Sequence, residues 1–225
     1  MIKNIYFNVI ISKYSPIFAA IMGLFDLFRK KEKEGEAEMK YLIAGLGNMG
    51  ADYDGTRHNV GFEVLDYMAA EAGAAFKHEH LGDIAIVKHK GRTFYLLKPS
   101  TYMNLSGKAV RYWLQKLSLK QESLLVVTDD LNIKFGSVRI RPNGSDGGHN
   151  GLKHINETFG NHFYARMRVG IGDNFSRGRQ VDYVLGKWDK KEQETLPDII
   201  KHAAGGVFAF GTIGITEAMN KFTKK

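Results

Sequence analysis

The chain has 225 residues, 44% hydrophobic and 25% charged, which suits one globular domain and excludes two full domains, a disordered chain and a membrane bundle. Lys and Arg exceed Asp and Glu by eight, and seven of those excess charges fall after residue 38, so the body of the protein is compatible with a polyanionic partner. Cysteine is absent, which removes disulfides, thiolate nucleophiles and cysteine-bearing zinc sites together and fits the reducing cytoplasm.

Residues 1–38 read as an N-terminal extension, accessory or poorly ordered. Their apolar stretch, Tyr14 to Phe25, is too short to span a bilayer and is broken by Ser15 and Pro16. A charge run from Arg29 to Glu38 follows it, with no small-residue cleavage site, so no signal peptide and no integral membrane association are expected. Met22 and Met39 both stand as alternative starts.

From Met39 to residue 225 the pattern is that of one compact domain. Strands are predicted over 40–45, 83–87, 93–97, 124–128, 137–141 and 166–171. Helices are predicted over 61–73, around Val110, Trp113, Leu114 and Leu117, whose spacing marks a core-facing stripe, and over 190–210. The alternation predicts a single-domain three-layer α/β/α sandwich around a mixed, mostly parallel twisted sheet. His78, Glu79 and His80 fall in a predicted loop without further ligands, and no HExxH occurs, so neither a metal nor a cofactor is expected.

Gly45-Leu-Gly-Asn-Met-Gly50 satisfies GxGxxG directly after the first strand. In a dinucleotide-binding fold those glycines open into a helix, and an acidic residue about 20 positions on closes the second strand. Here they lead into the turn-rich Ala51 to Thr56, and Glu71, at the matching distance, falls inside a helix. The motif instead reads as a tight loop that presents Asn48 and carries the chain to Arg57, His58 and Asn59. Because ligands of open α/β sheets bind beyond the carboxyl ends of the strands, Asn48 and His58 are placed near any active site.

Three more polar segments leave the ends of predicted elements: Lys98 to Gly107, Thr128 to Asn132, and the glycine-rich Gly144 to Gly151. GLGN at 45–48, TRHN at 56–59, TYMNLSGKAV at 101–110, DDL at 129–131 and GGHNGL at 147–152 together resemble, in order, the signature segments of bacterial peptidyl-tRNA hydrolases. The resemblance implies hydrolysis of the ester between a peptide and the 3′-terminal ribose of tRNA, recycling tRNA from peptidyl-tRNA released prematurely by ribosomes, by a monomeric cytoplasmic enzyme. It implies an active site of Asn48, His58, Asp129 and Asn150, with Tyr102, Met103 and Asn104 binding substrate. Met49 departs from the family, which commonly has proline there, and bears on loop stiffness.

With no cysteine and no GxSxG elbow, direct attack by water is the simpler chemistry. His58 then serves as general base and Asp129 fixes its tautomer. Asn104 or Asn150 stabilises the oxyanion, aided by backbone amides of the glycine loop. Asn48 holds the water or the ribose, and Tyr53 lines the same cleft. Arg139 and Arg141 share one face of a strand by their spacing. The family resemblance assigns Arg141 and Arg168 to the tRNA 5′-phosphate, with Lys108 a further contact. The rival reading is a catalytically silent RNA-binding relative, against which the retained His58 and Asp129 argue.

Overall fold

Strand β1, Met39–Gly45, alternates its side chains between two apolar layers, with Leu42 and Ala44 in one and Ile43 in the other. This division organises the domain. A computed structural model describes residues 39–223, and the extension expected at 1–38 lies outside the described residues. The other strands are β2 (Lys77–Glu79), β3 (Gly82–His89), β4 (Arg92–Pro99), β5 (Leu124–Asp130), β6 (Val138–Arg141) and β7 (Ala165–Gly170). They form one sheet in the order β2-β3-β4-β1-β5-β7-β6. The four inner strands β4, β1, β5 and β7 are mutually parallel, whereas β3 and β6 run against them. The predicted mixed, mostly parallel sheet is therefore observed. All seven residues of β5 are buried, as expected of a central strand covered on both faces.

Helix α1 (Val60–Glu71) covers the layer of Ile43, Leu125 and Val127 through Val64, Leu65 and Met68. The long α5 (Lys190–Ile213) and α6 (Ile215–Phe222) join that layer through Ile199, Ala203, Val207 and Ala218. On the opposite face, α2 (Ser106–Lys116) contributes Val110, Trp113 and Leu114, and α3 (Asn150–Phe159) contributes Leu152 and Ile155. A short α4, Gln180–Val184, lies between β7 and α5. No helix among the described residues is long and apolar enough to cross a membrane.

The structure departs from the sequence reading at the sheet edge, at the start of α3, and in the short helices α4 and α6, which were not predicted. Residues 77–79, expected in a loop, pair antiparallel with β3, and all three are exposed, so the edge strand has no apolar alternation to betray it. The glycine-rich segment runs into α3, whose start is hidden by Gly147 and Gly148 at φ +62° and +82°.

The first two glycines of GxGxxG have packing reasons, and Gly50 is favoured by its φ of +106°. A side chain at Gly45 would strike the Gly61 carbonyl, and one at Gly61 would stand 2.6 Å from the Leu46 amide nitrogen and the carbonyl oxygens of Leu46 and Val127. A β-carbon at Gly47 would meet the Asn59 side chain and the Phe62 ring at 2.9 Å. The loop thus crosses the start of α1 at backbone contact, and this crossing delivers the chain to His58. Gly61→Ala should destabilise the fold by about 1–3 kcal/mol through overpacking, read as a lower urea midpoint; wild-type stability would contradict the close crossing.

Candidate active site

The carboxyl ends of the parallel strands empty into one cleft of about 490 Å³, beyond Gly45 of β1 and Asp130 of β5. His58 reaches it from a 3-10 turn, Arg57–Asn59, tied down at both flanks. Before the histidine, the Thr56 hydroxyl donates to the Tyr53 carbonyl at 2.8 Å, and Thr56 bridges to Lys187. Arg57 is buried. Its backbone N–H donates to Gly186 O at 3.0 Å, and its guanidinium binds Lys187 O at 2.8 Å and Glu192 at 2.6 Å while lying over the Tyr183 ring. After the histidine, buried Asn59 accepts from the Asn48 backbone N–H at 2.8 Å and donates to the Asn48 carbonyl at 2.9 Å.

So anchored, His58 places Nδ1 2.9 Å from Asp129 Oδ1 at the end of β5. The same oxygen lies 3.0 Å from His149 Nε2, which is also 2.7 Å from the Thr128 hydroxyl. His149 caps α3, its Nδ1 accepting the N–H of Gly151 at 3.1 Å and of Leu152 at 3.4 Å. Asn48 Oδ1 accepts from the Met103 N–H at 3.1 Å, which leaves its amide N–H groups for the cleft. The ligand-type atoms of His58, Asp129 and His149 lie within 4.8 Å of one another. The backbone amides on His149 Nδ1 put its proton on Nε2 and leave no lone pair there, so the trio fits a hydrogen-bond chain better than a metal cage.

The sequence profile of the family described as peptidyl-tRNA hydrolase matches residues 42–225. The chain belongs to the peptidyl-tRNA hydrolase family. It is 52% identical over 187 residues to the peptidyl-tRNA hydrolase of Cytophaga hutchinsonii, covering 83% of this chain and 100% of the relative. The corresponding Porphyromonas gingivalis protein is 51% identical over 184 residues, with 82% and 100% covered. The crystal structure of peptidyl-tRNA hydrolase from Acinetobacter baumannii superposes with a TM-score of 0.77 at 34% identity, covering 83% of this chain and 97% of that one.

Of the residues singled out by sequence, Asn48, His58, Tyr102, Met103, Asn104, Asp129, Asn150 and Arg168 line the cleft of the hydrolase. Tyr53 sits in the preceding 3-10 turn and is not among the lining residues. Arg139 and Arg141 are exposed on edge strand β6, directly opposite Arg168 and Arg166. Arg168 is engaged at two nitrogens, one binding Asp130 at 2.6 Å and another the Ser145 carbonyl. It therefore holds the glycine loop against the sheet. Lys108 is exposed in the first turn of α2, outside the cleft lining. His149, Asn59, Arg57 and the far wall of Gln180, Val181, Val184 and Leu185 escaped the sequence reading. Arg57 and Asn59 flank His58 in the TRHN segment and His149 precedes Asn-Gly-Leu, whereas the far wall carried no signal.

Burial works against a charged His58, but the charge and hydrogen bond of Asp129 together outweigh it and raise its pKa above the ordinary histidine value. Burial alone would raise the Asp129 carboxyl; the two histidines outweigh it and hold the group well below the usual carboxylate range. The His58 ring should therefore titrate by NMR with a midpoint above about 6.5. In Asp129→Asn the burial penalty stays while the countercharge goes, so the midpoint should fall below that value. An unmoved midpoint would show that Asp129 does not govern His58.

Proposed function

We propose that this hydrolase cleaves the ester joining a peptide to the 3′-terminal ribose of tRNA by direct attack of water, with His58 as general base and Asp129 as its orienting carboxylate. The observation that carries the reading is the 2.9 Å contact between His58 Nδ1 and Asp129 Oδ1. It commits the Nδ1 proton to the carboxylate and leaves the Nε2 lone pair for water. His58 Nε2 takes one proton as the water oxygen bonds to the ester carbon, and the carbonyl oxygen becomes an oxyanion. Collapse breaks the bond to the ribose oxygen, and the imidazolium returns the proton to that leaving oxygen.

The side-chain amides of Asn104 and Asn150, two residues that line the same cleft, suit the oxyanion, since they donate without titrating. Asn48, its Oδ1 fixed by Met103, donates its free N–H to the water or the ribose. Tyr102, 76% exposed at the rim, and Met103 give the peptide or the terminal base an apolar contact that tolerates varied side chains. Every residue in this scheme comes from one chain.

For the nucleic acid, the supporting observation is the cross-strand row of arginines. Arg139 and Arg141 stand exposed opposite Arg168 and the buried Arg166, a cluster of like charges whose exposed pair suits a polyanion laid along the edge strand. Arg168 already binds Asp130 and Ser145, and the exposed Arg139 and Arg141 are the freer phosphate contacts.

His58→Ala should lower cleavage of N-blocked aminoacyl-tRNA by about 10²–10⁴-fold while leaving tRNA binding within a few-fold of wild type. A variant keeping most of its turnover would remove His58 from the base role. Because the base form is unprotonated and the pKa is raised, kcat/KM should climb with pH through a midpoint above about 6.5. Arg141→Ala should weaken tRNA binding and reduce the slope of log affinity against log salt by about 0.7–0.9. An unchanged slope would exclude a phosphate contact at that residue.

A further inference from the structure

His149 takes no part in the proton path proposed above, yet it touches the carboxylate on which that path depends. As N-cap of α3 it accepts two backbone amides at Nδ1, so its N–H sits at Nε2. That N–H lies 3.0 Å from Asp129 Oδ1, the atom that also binds His58, and the two imidazole centroids are 5.0 Å apart. Two histidines thus share a single oxygen. The Thr128 hydroxyl, 2.7 Å from His149 Nε2 and 3.5 Å from the same oxygen, closes the cluster from the strand.

The charged groups around the cluster are otherwise engaged. Asp130 on β5 is paired with Arg168 of β7, Asp146 in the glycine loop accepts the Gly148 N–H, and Arg57 beside His58 is committed to Glu192. None of them hydrogen-bonds to Asp129 Oδ1.

We infer that His149 is a positioning residue that moderates the basicity of His58. By donating Nε2–H to the shared oxygen it holds the carboxylate facing His58 and withdraws part of the charge that His58 would otherwise feel. The positive end of the same N–H dipole also lies near the His58 ring. Both effects disfavour the imidazolium, so removing the donor strengthens the base and moves its protonation to higher pH. The device limits how far a buried carboxylate raises the pKa of the histidine paired to it. The inference rests on His58 acting as base.

The test is the pH dependence of kcat/KM on N-blocked aminoacyl-tRNA for wild type, His149→Asn and His149→Ala. Asparagine still accepts backbone amides at an N-cap but is too short to reach Asp129, whereas alanine loses both functions. The expected result is an acid limb displaced upward by about half a pH unit or more in both variants, with thermal stability reduced mainly in the alanine variant. NMR titration of the His58 ring in the same proteins reads the shift where turnover is low. His149→Ser, with another capping side chain, replaces the asparagine variant if that one fails to fold. A folded His149→Asn enzyme with its limb at the wild-type pH overturns the inference and leaves the base role standing. A wild-type enzyme with no acid limb overturns the base role and the inference together.

Discussion

The burial of one carboxylate at the end of the central strand constrains everything around it. Asp129 is 3% exposed, and an ionised group taken that far from water is tolerated only where charge and hydrogen bonds replace the lost hydration. Its Oδ1 receives a histidine from the loop after β1 and a second from the mouth of α3. Those donors come from segments 71 and 20 residues away in sequence. The fold has to bring both to the carboxyl edge of the sheet with ångström accuracy.

Backbone contact achieves this more than side-chain packing. The crossing of Gly45 over Gly61 fixes where the first loop leaves the sheet, and the reciprocal bonds between Asn59 and Asn48 fix how it turns. Arg57 then ties the base of the histidine turn to the segment before α5, where Glu192 also completes the capping box of that helix with Asp189. The same segment follows α4, which supplies the apolar far wall of the cleft. Stability and function are therefore not separable here. The contacts that hold the C-terminal helices also hold the histidine at its working distance.

The glycine-rich motif after β1 shows how far sequence reading reached. Its turn-rich sequel, with no helix opening on the glycines, turned the reading away from a nucleotide cofactor, and the structure supplies the packing that the glycines permit. The inner strands were legible because Leu42, Ile43 and Ala44, and Leu124 to Val127, are apolar runs that only a sheet covered on both faces buries completely. The edge strand at 77–79 was not, since its three side chains face solvent and carry no periodicity. Among the site candidates, His58, Asp129 and Asn48 stood out because short segments bracketed them, and all three line the cleft. His149 was hidden by glycines that read as loop, and the Arg57 to Glu192 pair spans 135 residues, a distance at which no local pattern speaks. Arg168, expected to face phosphate, lines the cleft while also binding Asp130 and the Ser145 carbonyl, internal contacts that its place in a strand did not announce.

The most direct test of the account is the tautomer of each histidine, read by long-range ¹⁵N–¹H NMR on the histidine-labelled enzyme above the titration range. The geometry around Asp129 predicts a proton on Nδ1 of His58 and on Nε2 of His149. Finding His58 protonated at Nε2, with no lone pair left to meet water, would contradict the base role from which the mechanism is built.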